Sequence, residues 1–239
     1  MTPEPSEEFA PPPEQAEQPP PPQIPDQELY QPLFSPWNSA LFSGRIAECA
    51  QWTLVSPDRL WVLYSLAQQA IGLGEFWECG VYRGGSALLL ARLIANSRSP
   101  NTRLRLFDTF SGMPETDPER DLHGEGDFGD TSAEAVAERV GHPWITSLHA
   151  GFIPDTFAGH ESAQIGFGHI DTDIYRSVFD CCEFMFPRLV RGGFLVFDDY
   201  GFPSCPGARQ AVDDYFANHK GVVPLVLPTG QAVVFKGVD

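Results

Sequence analysis

Residues 75–86 read EFWECGVYRGGS, and this stretch decides the fold. Its first half predicts a short strand, and the glycine pair Gly84-Gly85 predicts a tight turn after it. The apolar run ALLLARLI at residues 87–94 predicts a buried helix. A strand, a turn and a helix in this order form the first unit of a parallel sheet, because parallel strands need a crossover of helical size.

The same alternation continues along the chain. Further strands are predicted at residues 104–108, 145–149, 165–171 and 194–198, and helices at 57–71, 132–140, 174–186 and 208–218, with a short helix at 151–158. Apolar runs at 222–227 and 232–235 flank Pro228-Thr229-Gly230 and predict a final hairpin. The sequence therefore predicts an α/β fold of the Rossmann-like kind: a three-layer sandwich with a mostly parallel sheet and a C-terminal antiparallel hairpin.

Composition divides the chain into three parts. Ten of the 23 prolines lie in the first 25 residues, and residues 1–28 carry seven acids and no Lys or Arg. This composition predicts a disordered Pro/Glu-rich tail; the alternative is a docking segment for a protein partner that reads proline-rich sequences. Residues 29–55 are interpreted as an N-terminal extension. Residues 56–239 are long enough for one domain with a full core.

Charge and cysteine usage narrow the function classes. Removing the seven acids of the tail from the net charge of −17 leaves −10, which repels nucleic acid and anionic membranes. We find neither a secretory signal nor a run of about 20 apolar residues that could span a bilayer. The five cysteines are odd in number and lack C-x-x-C spacing, which is typical of reduced thiols in a cytoplasmic protein.

Acidic residues follow the predicted strands, at the sheet edge where α/β proteins bind ligands. Asp108 ends the second strand, 28 residues after Gly80, where a carboxylate can accept both hydroxyls of a ribose. The glycine spacing is Gly-x-x-x-Gly-Gly rather than the Gly-x-Gly-x-x-Gly of dinucleotide folds, which disfavours a nicotinamide cofactor. Glycine turns also serve ordinary helix packing, so the turn alone is weak support for a ligand.

Three further carboxylates predict a metal site. Asp171 follows the fourth strand, and Asp198 and Asp199 follow the fifth, so we expect them within a few ångströms of one another. Carboxylates so close would repel, and a hard divalent cation such as Mg²⁺ removes the repulsion. Asp173 fits the same group by spacing, but it directly precedes a predicted helix and is equally interpretable as the N-cap.

Four segments, taken together and in order, resemble the macrocin O-methyltransferase (TylF) family. They are Glu78 to Gly85, Phe107 to Pro114, His169 to Tyr175 and Asp198 to Gly201. The resemblance implies a class I methyltransferase fold, S-adenosylmethionine as donor, and Mg²⁺ held by Asp171, Asp198 and Asp199. It implies donor contacts at Glu78, Gly80, Ser86 and Asp108, and we add Tyr82, Gly84, Gly85, Ser111 and Asp171 to the predicted donor-binding set. Catechol O-methyltransferase is similar in its placing of acids after the fourth and fifth strands.

Such an enzyme methylates a hydroxyl of a small-molecule acceptor, here expected to be a sugar or another natural product. The metal lowers the pKa of the hydroxyl, and a general base takes its proton. Asp173 is the first candidate for the base, followed by His123 and by a metal ligand such as Asp171. His169 lies inside the fourth strand and is predicted to be a buried, hydrogen-bonded core histidine. The loop at residues 112–130 is predicted to be a lid, with a plain solvated loop as the alternative.

Two other function classes stay open. A nicotinamide-dependent oxidoreductase would use the same sheet and the same ribose-binding acid, but it has no need of the Asp198-Asp199 pair. A non-catalytic nucleoside-binding module could recruit partners through the proline-rich tail, but it has no reason to keep mutually repelling carboxylates. Assembly of the chain into a homo-oligomer is a further possibility that the sequence leaves open.

Overall fold

The computed structural model describes residues 34–97, 99 and 101–237. The predictions for the tail and for residues 29–33 lie outside the described residues. The described residues from Ser35 onward form one compact unit. Its strands are β1 (Glu75–Cys79), β2 (Leu104–Asp108), β3 (Thr146–Ala150), β4 (Ile165–Ile170), β5 (Leu189–Phe197), β6 (Leu225–Val226) and β7 (Ala232–Phe235). Its α-helices are α1 (Ala40–Ile46), α2 (Pro57–Ala70), α3 (Gly85–Ser97), α4 (Ala133–Val140), α5 (Tyr175–Arg188) and α6 (Pro206–Phe216). Short 3-10 helices lie at Pro36–Asn38, Ala50–Trp52 and Asp155–Phe157.

The strands form one sheet in the order β3-β2-β1-β4-β5-β7-β6. The first five strands in this order are parallel, whereas β7 runs antiparallel to both β5 and β6. Strand order reverses between β1 and β4, so the carboxyl ends of these two strands border a crevice, which is where open α/β sheets bind ligands.

Two apolar cores cover the two faces of the sheet. The first contains Leu60 and Leu63 of α2, the apolar face of α3, and Val136 and Val140 of α4. The second contains Val178, Cys181 and Met185 of α5 with the apolar face of α6. This is the predicted three-layer α/β sandwich with a mostly parallel sheet and a C-terminal hairpin, which is confirmed.

The segment before α2 is part of the first core. Phe42 and Ile46 of α1, together with Cys49 and Val55, are buried against α2 and α3. A Cβ at Gly85 would lie 2.7 Å from the backbone of Cys49 and Trp52, so only glycine allows α3 to begin this close to the segment. Along the described part of the chain, no helix combines the length and the apolar character that crossing a bilayer requires.

Three predicted boundaries are wrong. Strand β5 begins at Leu189 and includes Gly192-Gly193, because the Gly192 amide donates to the Lys236 carbonyl and Gly193 accepts from the Lys236 amide. The predicted strand at 222–227 is reduced to Leu225–Val226, and the predicted helix at 151–158 to a 3-10 turn at Asp155–Phe157.

Candidate functional site

A cavity of about 280 Å³ lies outside the carboxyl ends of the central strands. Its walls come from the start of α2 and the segment before it, the β1–α3 turn, the end of β2 and the loop after it, and the segments after β3, β4 and β5. Lining residues that the sequence had singled out are Gly80, Tyr82, Ser86, Asp108, His123, Asp171, Asp173 and Asp199. The remaining walls are largely apolar, with Leu54, Val55, Met113, Phe128 and Phe202 among them.

Three carboxylates meet at the floor of the cavity. One oxygen from each of Asp171, Asp173 and Asp199 lies within 4.8 Å of the other two. Burial, and then the negative charges of neighbouring carboxylates, raise the pKa of Asp171 and of Asp199 well above the usual value. Asp199 Oδ2 is buried without a hydrogen-bond partner among the described residues. A hard divalent cation fits this set, because all of its donors are oxygen and one is unsatisfied.

Asp173 joins this group because of an unusual backbone conformation. Its φ is 59°, in the left-handed region that few residues other than glycine adopt. The alternative interpretation of Asp173 as the helix N-cap is wrong, because Ile174 occupies the N-cap of α5 and makes no side-chain cap. The amide of Tyr175 instead donates to Asp121 Oδ1 at 2.8 Å. Asp173 is therefore free to face the cavity.

Asp198 faces a different set of partners from Asp199. Its Oδ2 forms an ion pair with Arg59, and its Oδ1 accepts a hydrogen bond from Gln231 Nε2 at 2.7 Å. One oxygen of Asp198 lies within 4.8 Å of donor atoms of His169 and Asp171, whereas the close group that contains Asp173 and Asp199 does not include Asp198. Burial would raise the pKa of Asp198, but His169 and Arg59 stabilise its charged form and hold the pKa below the usual value. Asp198 thus already has its charge compensated by protein groups.

His169 is fully buried between two carboxylates. Its Nδ1 lies 2.9 Å from Glu78 Oε1, and its Nε2 lies 3.6 Å from Asp198 Oδ1, an ionic contact rather than a hydrogen bond. The predicted buried, hydrogen-bonded histidine is confirmed. Burial alone would lower the pKa of His169, but the two carboxylates outweigh burial and raise it to about 10. The imidazolium links the end of β1 to the end of β5.

This histidine predicts a pH dependence of stability. Because its folded pKa is raised, its contribution is fully present below the ordinary pKa of 6.5 and is lost as pH rises through about 10. We expect the free energy of unfolding in chelator to fall between these values, and to fall less in His169→Gln. Urea unfolding at several pH values measures both. An equally steep fall in the variant would contradict this assignment.

Glu78 is not among the residues that line the cavity. The side chain is fully buried, and one oxygen contacts His169 while the other, Oε2, has no partner among the described residues. Glu78 was predicted to contact the donor. The structure buries its side chain against His169, which it orients through this contact.

The glycines of the β1–α3 turn serve packing as well as ligand approach. A Cβ at Gly80, whose φ is +83°, would overlap the carbonyl group of Asp171. A Cβ at Gly84 would press on Val136 and Val140 of α4 at 3.0 and 3.2 Å. Of the predicted donor-contacting glycines, Gly80 lines the cavity, whereas the space beside Gly84 and Gly85 is filled by protein.

Asp108 closes the turn after β1. Its Oδ2 accepts hydrogen bonds from the amides of Val81 and Tyr82 at 2.6 and 2.9 Å, and its Oδ1 accepts from the amide of Phe110 at 2.7 Å. A carboxylate has about four acceptor positions. The Thr109 hydroxyl lies 3.5 Å from Oδ1 but has one proton, and it lies closer to the Gly112 carbonyl at 2.5 Å, so one position remains for a hydroxyl that enters the cavity. Ser111, also predicted to bind the donor, borders a separate shallow depression beside Tyr82.

The loop at residues 112–130 folds back on itself. The Met113 amide donates to the Asp127 carbonyl at 2.8 Å, and the Gly126 amide donates to the Met113 carbonyl at 3.0 Å. Asp121, buried within this polar loop, ties it to the N-terminus of α5. The loop carries His123 into the cavity wall, where Nδ1 lies 3.4 Å from Asp127 Oδ2 and Nε2 lies 3.7 Å from Cys205 Sγ.

Sequence reasoning missed three residues of the site. Arg59 on the first turn of α2 and Gln231 before β7 hold Asp198, although 139 and 33 residues separate them from it along the chain. Neither belongs to a motif, so no local signal could have found them. Cys205 contacts Asp173 Oδ1 at 3.3 Å, and its position before the helix start Pro206 was the only hint.

The chain is similar to a set of methyltransferases. A model of the family described as macrocin-O-methyltransferase (TylF) matches residues 50–236. An 8-demethyl-8-(2,3-dimethoxy-alpha-L-rhamnosyl)-tetracenomycin-C 4'-O-methyltransferase of Streptomyces olivaceus is 31% identical over 153 residues, which cover 59% of this chain and 58% of that protein. The mycinamicin III 3''-O-methyltransferase of Micromonospora griseorubida is 27% identical over 193 residues, covering 74% of this chain and 75% of that protein.

Solved structures share the fold. The O-methyltransferase NovP superposes with a TM-score of 0.69 at 21% identity, over 78% of this chain and 83% of its own. The O-methyltransferase TomG from Streptomyces achromogenes, solved in complex with SAM, has a TM-score of 0.55 at 17% identity, over 82% of this chain and 95% of its own. The sheet is thus that of class I methyltransferases, and the resemblance of the four sequence segments is confirmed. The chain belongs to the macrocin-O-methyltransferase (TylF) family.

Proposed function

We propose that this chain transfers the methyl group of S-adenosylmethionine to a hydroxyl of a small natural product, a sugar or an aglycone, with the help of Mg²⁺. The observation that carries the proposal is the group of Asp171, Asp173 and Asp199 on the floor of the cavity. Family membership supports methyl transfer, and the similar proteins are named for acceptors of natural-product type. A nicotinamide-dependent oxidoreductase would not need these close carboxylates, which repel one another in the absence of a cation.

The proposed donor binds at the β1 and β2 side of the cavity. The N-terminus of α3, where Ser86 lines the cavity, would offer helix-terminal amides to a carboxylate, and Asp108 would accept the ribose hydroxyls. Gly80 lines the same side of the cavity, where its backbone would contact the donor. Tyr82 and Phe107 line the same side and supply apolar surface.

The proposed acceptor binds at the opposite side. Leu54 and Val55 from the segment before α2, Met113 from the loop, and Phe202 after β5 present an apolar surface to the body of the acceptor. Leu54 is 67% exposed, which leaves it free to contact a bound molecule. Burial of the acceptor against these side chains would orient its hydroxyl toward the three carboxylates.

Asp171, Asp173 and Asp199 would hold Mg²⁺, with Asp198 kept in place behind them by Arg59 and Gln231. When bound, the cation would supply positive charge that lowers the pKa of the acceptor hydroxyl and fixes its oxygen for in-line attack on the methyl carbon. The residues that exclude water are the apolar walls named above. The proton of the hydroxyl then passes to a base of the chain.

Asp173 is the proposed base, through the carboxylate oxygen that does not hold the cation, and His123 is the alternative. We expect Asp173→Asn to lower kcat by about 10²- to 10⁴-fold, the usual contribution of a general base. His123→Gln, which keeps a polar side chain in the loop, should lower kcat by less than about tenfold on the same scale. Steady-state kinetics at saturating Mg²⁺ measures both variants. A larger loss in His123→Gln than in Asp173→Asn would move the base to the loop.

Mass spectrometry tests the function directly. The chain is incubated with S-adenosylmethionine, Mg²⁺ and a panel of glycosylated natural products, and a product heavier by one methyl group is expected. Calorimetry with S-adenosylhomocysteine and with NAD provides the second readout. Binding of NAD without binding of S-adenosylhomocysteine would refute methyl transfer in favour of an oxidoreductase, and binding of S-adenosylhomocysteine without any product would leave only a nucleoside-binding module.

A further inference from the structure

We propose that His123, Asp173 and Cys205 form a second metal site, one that takes a transition metal such as Zn²⁺ and is distinct from the all-oxygen group of Asp171, Asp173 and Asp199. The three residues come from the loop after β2, the end of β4 and the segment before α6. The existence of this site rests on its own geometry. Its effect on methyl transfer rests on the proposed function.

The distances match a tetrahedral site. Cys205 Sγ lies 3.7 Å from His123 Nε2 and 3.3 Å from Asp173 Oδ1, and one donor atom from each residue lies within 4.8 Å of the other two. Zinc bonds of about 2.3 Å to sulfur and about 2.0–2.2 Å to nitrogen and oxygen place neighbouring ligand atoms roughly 3.5 Å apart in a tetrahedron. The two contacts of Cys205 are therefore already close to the ligand spacing of a tetrahedral site.

The donor set selects the metal. Imidazole, thiolate and carboxylate together suit Zn²⁺ and related transition metals, whereas Mg²⁺ takes oxygen donors and keeps several waters. In the absence of metal, the Cys205 thiol donates a hydrogen bond to Asp173. When a metal binds, the sulfur coordinates as thiolate and the thiol proton is released to solvent. Because all three residues line the cavity, the fourth position faces the cavity and stays open to water.

An outer carboxylate supports His123 as a ligand. Asp127 Oδ2 lies 3.4 Å from His123 Nδ1 and also accepts the amide of Gly124 at 3.0 Å, which fixes the carboxylate. A proton on Nδ1 leaves the lone pair of Nε2 pointing at Cys205. Carboxylate, histidine and metal in this order are the usual outer-shell arrangement of metal-bound histidines. Asp127 is thus the positioning residue of the site.

Asp173 belongs both to the His123 and Cys205 site and to the all-oxygen group. An ion at the His123 site would withdraw Asp173 from the all-oxygen group, so Mg²⁺ and Zn²⁺ would compete. It would also tie the loop at residues 112–130 to the segments after β4 and β5. On the proposed function, Zn²⁺ therefore inhibits methyl transfer, both by removing the base and by occupying the acceptor side of the cavity.

Cobalt is the probe for the experiment, because Co²⁺ takes zinc sites and a thiolate ligand gives it a charge-transfer absorption band. The full chain is titrated with Co²⁺ without donor or acceptor. We expect the band in the unchanged chain and in Cys182→Ala, a matched removal of a buried thiol of α5 that lies outside the site. The band should be absent in Cys205→Ala, and Asp127→Asn should weaken Co²⁺ affinity by about 10- to 100-fold.

Absence of the band from the unchanged chain, or its persistence in Cys205→Ala, overturns the proposal. If Cys205→Ala does not fold, His123→Ala decides, because this half-buried loop residue must lower Co²⁺ affinity. Excess Mg²⁺ should weaken Co²⁺ binding, and no such effect would contradict the sharing of Asp173. The Co²⁺ titration contains no methyl donor, so its outcome does not depend on the proposed function. A chain that binds Co²⁺ here but gives no methylated product in the mass-spectrometric assay refutes the proposed function and leaves the metal site standing.

Discussion

Asp199→Asn is expected to abolish Mg²⁺-dependent methyl transfer while leaving the affinity for S-adenosylhomocysteine nearly unchanged. Asp199 Oδ2 is the buried oxygen without a partner in the cluster, so its loss removes a donor that no other contact occupies. Several kcal/mol of charge stabilisation by the cation would be lost, which corresponds to a rate decrease on the order of 10³-fold or more. Kinetics with and without chelator, together with calorimetry, measure the two effects.

Stability provides a second readout of the same substitution. Because burial, and then repulsion by neighbouring carboxylates, raise the pKa of Asp199, ionisation of this carboxyl is unfavourable in the metal-free fold and destabilises it. The neutral amide should therefore raise the melting temperature in chelator and should remove the further increase that Mg²⁺ produces in the unchanged chain. Asp155→Asn, the same change at an exposed position outside the cavity, is the control and should leave both quantities unaltered.

A chain in which Asp199→Asn keeps its activity in excess Mg²⁺ would place the cation elsewhere. The structure indicates where to look next, because Asp171 and Asp198 share a second group with His169. In that case Asp198→Asn would give the large loss instead, after release of its ion pair with Arg59.

Gly80→Ala has the largest expected effect on stability. The added methyl group would overlap the carbonyl of Asp171, and backbone there cannot retreat because the Asp171 amide donates to the Cys79 carbonyl at 2.8 Å. The positive φ adds about 1–2 kcal/mol of strain for a residue with a Cβ. We expect a total loss of more than about 3 kcal/mol in the free energy of unfolding, since overpacking against backbone adds to that strain.

The matched control for Gly80 is Gly159. Its φ is +86°, close to the +83° of Gly80, but an added Cβ would meet nothing within 4 Å. Gly159→Ala should therefore show the strain of the positive φ alone, about 1–2 kcal/mol by chemical denaturation. Similar losses of stability in the two variants would mean that the backbone at Asp171 moves easily to accept a methyl group. The close approach of Asp171 would then not be the reason for glycine at position 80.

Much of the fold could be predicted because the signals are local. The Ser56-Pro57-Asp58 start of α2 and the apolar runs of β1, β2 and β4 are patterns within a few residues, and the structure has these elements close to their predicted bounds. The start of β5 could not be predicted, because Gly192-Gly193 look like a turn in sequence. They lie within a strand because their backbone pairs with Lys236, more than 40 residues away.

The candidate site divides along the same line. The positions of Asp171, Asp198 and Asp199 at strand ends follow from sequence, since parallel strands bring their carboxyl ends to one edge. The direction in which each side chain points does not follow from the sequence. Asp198 turns toward Arg59, Gln231 and His169, whereas Asp173, which the spacing allowed to be a helix cap, turns into the cavity from a left-handed backbone.

The sequence by itself therefore determined the order of elements, the parallel sheet, the acidic edge and, by resemblance, the family. Only the tertiary structure decided the partners of each acid, the burial of Glu78 against His169, and the meeting of His123 with Cys205 across 82 residues. The physical reason is the separation along the chain of the residues that interact. Local patterns encode periodicity and capping, but a carboxylate orients toward whichever charge or hydrogen-bond donor the packing of distant segments brings within about 3 to 4 Å.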